Sequence, residues 1–223
     1  TLNSGTNSSI QVTGTVGNSQ ALAGLTITQS NGTNFSSTVD VSDTNSGTIT
    51  LTDTVDGQNI VFNNNVTADT FTTAAQGYNI FLLGNATFAN AVTFQNTGTL
   101  QLGNQTSDTF TFNGGLTENT SGTVTIHGAI VSSNDTISFG NILLGQNLSI
   151  NSAGGAISIG TIGAASGSRD VSITSTGGSA NTVAVGAIGG GTSINTVAIT
   201  SGTLTTLNGN ITTDNSTGNT VTL

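Results

Sequence analysis

Residues 122–140 read GTVTIHGAIVSSNDTISFG. Val124-Thr125-Ile126 alternates apolar and polar side chains, the period of a strand with one buried face. The same parity points His127 outward with Thr125. Gly, Ser, Asn and Asp, residues that tolerate a bent or left-handed backbone, separate this cluster from the next one. The stretch reads as short strands joined by corners.

The same grammar extends in both directions. Leu25-Thr26-Ile27, Val39-Asp40-Val41, Ile49-Thr50-Leu51, Leu100-Gln101-Leu102, Leu148-Ser149-Ile150 and Val171-Ser172-Ile173 all alternate. No window shows the i, i+3, i+4, i+7 pattern of an amphipathic helix, and Gly and β-branched residues disfavour helix throughout. Three phrases recur at uneven spacing. Gly-Thr-Φ-x-Φ, where Φ is aliphatic, starts at Gly47, Gly98 and Gly122, with a variant at Gly155. Asn-Thr-Val-x-Φ starts at Asn181, Asn195 and Asn219. Thr-Φ-x-Gly-x-Φ starts at Thr111, Thr125 and Thr206.

Short strands with polar corners fit a sandwich, a barrel or a solenoid. A sandwich protects its edges with Lys or Pro, and this chain has neither. A solenoid stacks each strand on the one a coil below, so most edges disappear. The expected fold is therefore an all-β parallel β-solenoid of roughly 8–11 irregular coils, making a rod about 40–55 Å long. Residues 1–223 form a single solenoid. All nine Phe lie between Phe35 and Phe139, and the one Tyr is Tyr78. A wider, aromatic-containing core is expected over about 1–140 and a thinner aliphatic core over about 141–223. Phe62, Phe71, Phe81, Phe110 and Phe112 are assigned to that core.

Charge narrows the function. Nine Asp and one Glu face a single Arg and no Lys, for a net −9. Such a surface repels phosphate backbones, so nucleic acid is not expected as a partner. No apolar run approaches the ~20 residues of a spanning helix, and membrane insertion is not expected. The chain begins Thr1-Leu2-Asn3 without a basic leader and reads as a mature or excised segment.

Chemistry has few places to sit. His127, the only histidine, points outward beside Gly128 and reads as an inert surface imidazole rather than a triad base, and Arg169 alone is thin support for a lyase-type cation cluster. No catalytic residue and no cofactor are assigned, and the chain is read as a non-enzyme. Asp40, Asp43, Asp53 and Asp56 form the densest acidic region. They read as solvated corners, or more sharply as a Ca²⁺ site shared by adjacent coils. Thr-x-Thr occurs without one fixed period, against an ice-binding ladder.

From Gly122 to Leu223 the phrases GTVTIHGAIVSSNDTISFG, GQNLSINSAGGAISIGTIG and GTLTTLNGNITTDNSTGNTVTL resemble the beta strand repeats of large bacterial exoproteins. These are of the filamentous-haemagglutinin-like and autotransporter-passenger class. The resemblance implies a β-helix that is secreted to the cell surface and used for adhesion, self-association or spacing. It carries over no catalytic residues. The function expected is a structural or adhesive segment of an extracellular surface fibre. The alternative is a carbohydrate-active or carbohydrate-binding β-helix of tailspike or lyase type, with surface glycans as partners. Neither end shows a polar cap, so Thr1, Leu2, Asn3, Val221, Thr222 and Leu223 are expected to join further repeats of the same chain or another copy of it, head to tail.

Overall fold

A computed structural model describes residues 1–190, 194–214 and 218–223. The backbone winds into a parallel β-solenoid of about nine turns with three faces. Every ladder between the described strands is parallel. The first face is a ten-stranded sheet running from Leu2–Asn3 to Leu204–Leu207. The second face begins at Ile10–Val12 and the third at Val39–Val41. These two share one sheet, because Val124–Ser132 and Ile142–Asn151 run unbroken around the corner between them. No α-helix occurs among the described residues; the one helical element is a short 3-10 turn, Asp43–Asn45.

Coil length varies, while register is kept except at three irregularities, between Leu2 and Asn3, Ile126 and Gly128, and Arg169 and Val171. Ile137 lies beside Ile157, 20 residues on, whereas Ile157 lies beside Val183, 26 residues on. The difference is absorbed in the corners. One corner shows why glycine is needed. Gly128, midway along Val124–Ser132, holds φ at 95°, and a Cβ there would sit 2.2 Å from the Asp108 carbonyl oxygen of the coil before. An L side chain is excluded both by conformation and by space.

The inward side chains stack in lines. On the second face Ile60, Ile80, Leu100, Val124, Ile142 and Ile162 follow one another in register. Ile188 and Ile211 continue the line as isolated bridges. All six are essentially inaccessible to water, and burial of each contributes on the order of 1.5–3 kcal/mol. Between Phe35 and Phe112 the core is filled by rings in mutual contact. Phe35 stacks on Phe62 at 4.8 Å and 4°, Phe71 meets Phe88 at 5.0 Å and Phe94 at 5.8 Å, and Phe88 meets Phe112 at 5.5 Å. Phe62, Phe71, Phe110 and Phe112 are buried. Phe81 departs from the expectation. In Asn79–Leu82 the inward positions belong to Ile80 and Leu82, so Phe81 takes the outward one and stays half-exposed.

Candidate functional site

In a rod whose interior is packed throughout, function falls to the corners, the outer faces and the ends. The acidic residues come first. Asp40 stands outward on the third face, its Oδ1 accepting from the Ser42 N–H at 3.2 Å and the Ser42 hydroxyl at 2.6 Å. Asp43 opens the 3-10 turn in the corner leading to the first face. Asp53 and Asp56 lie in a different corner, between the first and second faces. There Asp53 accepts from the Gln29 amide at 3.1 Å, and Asp56 from the Gly77 N–H at 3.1 Å. The four carboxylates are thus split, Asp40 and Asp43 lying where the third face turns towards the first, and Asp53 and Asp56 between the first and second faces. No group of three or more His, Cys, Asp or Glu suited to a metal occurs among the described residues.

Three acids are buried, and each caps backbone. Asp69 accepts from the Gly47 N–H at 2.8 Å. Asp108 accepts from Asn104 and Gln105 at 2.8 and 2.9 Å, and Glu118 from Gly140 at 2.9 Å. A carboxylate accepting backbone N–H groups in this way holds a corner closed.

His127 is not the free surface imidazole that strand parity suggests. It is half-buried, and a Cβ on Gly145 of the next coil would fall 2.0 Å from its Cε1, so the ring packs on that glycine. Its Nδ1 is buried without a hydrogen-bond partner. Desolvation pushes its pKa below the ordinary value. Nearby Asp108 opposes that shift, and the charge of Arg169 adds to it. Arg169 opens the strand Arg169–Ser175, its Nη1 donating to the Ser168 carbonyl at 3.3 Å. Next to it, Asp170 accepts from Asn147, Asn195 and Thr196 at 3.1, 2.9 and 2.8 Å, tying three successive coils together.

The three outer surfaces differ in chemistry. On the first face, Thr26, Thr50, Thr72, Thr93 and Thr117 stand in one outward row that Ser138 and Ser158 continue. Sequence spacing hides this row, because the coils that carry it differ in length. The third face carries charge at Asp40, Arg169 and Asp170. The second face carries none: its strands contain no Asp, Glu, Arg or His from Ile10–Val12 to Ile162–Ala164 once the corner residue His127 is passed. Its outward row includes Val61, Phe81, Gln101, Thr125 and Leu143. Two open grooves of about 420 and 270 Å³ lie on this same face, one beside Leu143 and the other beside Asn34 and Val61.

The ends of the described rod present unpaired edges. Leu2–Asn3 pairs on one side only, with Gly24–Gln29, and Ile10–Val12 only with Thr33–Phe35. At the other end Leu204–Leu207 pairs only with Thr182–Val185, and Val221–Thr222 only with Ile194–Ser201. Thr1 is exposed, Leu2 is half-buried against the core, and Asn3 is half-paired and exposed. Leu204, Val221 and Leu223 are 56%, 48% and 64% exposed, well above any residue of the stacked lines inside. Thr222 is exposed with them.

No protein-family model, no curated protein and no solved structure matches this chain.

Proposed function

We propose that this chain is a structural and adhesive rod segment of an extracellular bacterial surface fibre. The parallel stack of about nine turns is the observation that carries this reading. An unpaired parallel edge is a template for one more coil. That coil is supplied by further repeats of the same chain or by a second copy, and either gives an open heterologous rod. Secretion to the cell surface follows from the same reading and from the resemblance to bacterial beta strand repeats.

The titratable groups support a non-enzymatic role. Asp69, Asp108 and Glu118 are committed to backbone N–H groups, and the only imidazole packs on Gly145.

Electron microscopy and sedimentation of the isolated chain, together with a chain extended by its neighbouring repeats, test the proposal. Rods that lengthen in whole-coil steps, by addition of copies or of repeats, support it. A compact monomer that turns over or cleaves a polysaccharide overturns it.

A further inference from the structure

We infer that the second face is a lateral pairing surface, on which a second copy of this rod lies side by side and in register. This is separate from joining at the ends, since it widens the rod and leaves its length unchanged.

Charge argues against the third face. At net −9 two such rods repel each other. The third face holds Asp40, Arg169 and Asp170, whereas Glu118, the one charged residue in the strands of the first face, is buried against the Gly140 N–H. The second face, like the first, lets two copies meet without opposing exposed charged side chains. It is also where the outward apolar residues gather. Eight of the nine phenylalanines and Tyr78 are buried, and the remaining ring, Phe81, stands outward here between Val61 and Gln101. Leu143, further along the same row, is 37% exposed.

The polar groups of this face are already engaged. Gln101 Nε2 donates to the Gly103 carbonyl at 2.8 Å, and Asn34 Oδ1 accepts from Asn63 at 2.5 Å. Asn79 donates to Asn59 Oδ1 at 2.9 Å and accepts from the Thr99 N–H at 2.7 Å. A polyhydroxylated sugar needs free donors and acceptors, and few are left. A copy of the same face needs none, because like meets like across a two-fold parallel to the rod axis. In that arrangement Phe81 faces Phe81, Val61 faces Val61 and Thr125 faces Thr125, with the two grooves filled by bridging water.

Size sets the strength. A face about 40 Å long and about 13 Å wide buries about 1,000 Å² over two copies, the lower limit for a specific interface. One pair of segments is therefore reversible, and the contact multiplies along a longer rod.

The chain contains no cysteine, so introduced thiols report cleanly. Under mild oxidation Thr125→Cys is expected to form a disulfide-linked dimer, while Thr93→Cys on the first face, also outward, stays monomeric. Adding Phe81→Ser to Thr125→Cys is expected to lower the association constant by about tenfold. Circular dichroism confirms that this variant keeps its β-sheet signal; if it does not fold, the two cysteine variants alone decide the matter. Negative-stain images are expected to show doubled width at high protein concentration, whatever the particle length. Equal cross-linking at both positions overturns the pairing face. So does a reduced, single-width Thr125→Cys rod. Retention on immobilised amylose that Phe81→Ser abolishes, without Thr125→Cys cross-linking, also overturns it and assigns the face to a neutral glycan.

Discussion

The coils from Phe35 to Phe112 and the coils after Phe139 share one backbone plan but are filled differently. The earlier coils hold a continuous run of phenylalanine rings, with neighbouring centroids 4.8–6.4 Å apart. The later ones contain no aromatic residue. They pack Ile, Val, Leu and Ala around buried hydroxyls such as Ser152 and Ser175, which both donate to the Gly155 carbonyl, at 2.5 and 2.8 Å. The parallel ladder is the same in both, so the ladder sets the architecture and the filling sets local stability. Rings remove more apolar area from water per residue. Close backbone approach at glycine serves both parts: a Cβ would lie 1.8 Å from the Val41 carbonyl oxygen at Gly47 and 1.9 Å from the Gly160 carbonyl oxygen at Gly186.

The sharpest way to break the comparison is to empty the aromatic part. Phe112 touches Phe88 and Phe94, and Phe112→Ala should cost about 3–5 kcal/mol in urea unfolding. Ile173→Ala in the aliphatic part should cost about 2–5 kcal/mol. Thr111→Ala, between two buried rings but outward itself, should stay within about 0.5 kcal/mol. A Thr111 effect as large as the Phe112 effect would reverse the assignment of inner and outer positions.

Backbone approach should also matter between the two parts, at the corner carrying Gly128. Gly128→Ala sets a Cβ against the Asp108 carbonyl oxygen in a conformation that L residues avoid. It should destabilise by more than about 1 kcal/mol. Gly57→Ala is the control for strain alone, since Gly57 also has positive φ but open space around it. It should be the milder of the two when melting midpoints are compared.

Two titrations sharpen the comparison further. Tyr78 is fully buried in the aromatic part, with its hydroxyl 2.9 Å from the Leu51 carbonyl. Its pKa is raised to about 12, first by desolvation, then by the charge of Asp53, with the backbone hydrogen bond to Ala74 opposing. A folded-state value above the unfolded one means that Tyr78 stabilises the fold below pH ~10 and loses that contribution as pH rises towards 12. With one Tyr and no Trp, ultraviolet titration reads this group alone, and an apparent pKa near 10 in the folded rod would contradict its burial. His127 shows the smaller effect, with the opposite sense. Its folded pKa is lowered, so the unfolded chain binds the proton more readily, and stability falls as pH drops through and below ~6.5. His127→Gln should flatten that slope, as followed by denaturant midpoints at successive pH values.

Much of this plan was legible in the sequence, though not the coil boundaries. Alternation at Val124-Thr125-Ile126 and its counterparts correctly marks strands, and the absence of Lys and Pro correctly favours a solenoid. The recurring phrases mislead about period because they encode local turns and not positions in the coil. Thr-Φ-x-Gly-x-Φ at Thr111 turns from the third face to the first, at Thr125 from the second to the third, and at Thr206 it leaves the first. Gly-Thr-Φ-x-Φ leads onto the first face at Gly47 and onto the second at Gly98. Phe81 was misassigned because Phe81-Leu82 are adjacent and apolar, and composition alone cannot say which of two neighbours faces inward. The first-face hydroxyl row and the second-face absence of charge exist only once coils of 18–27 residues are stacked.

The central claim is a parallel stack of coils, and distances between spin labels test it directly. Thr26, Thr117, Ser158 and Thr206 share the outward row of the first face. Cysteine labels on Thr26 paired with each of the others span four, six and eight coils. The expected separations are about 19, 29 and 38 Å, a rise of about 4.8 Å per coil. Distances that do not grow linearly with coil number, or a Thr26–Thr206 separation shorter than Thr26–Thr117, would contradict the solenoid.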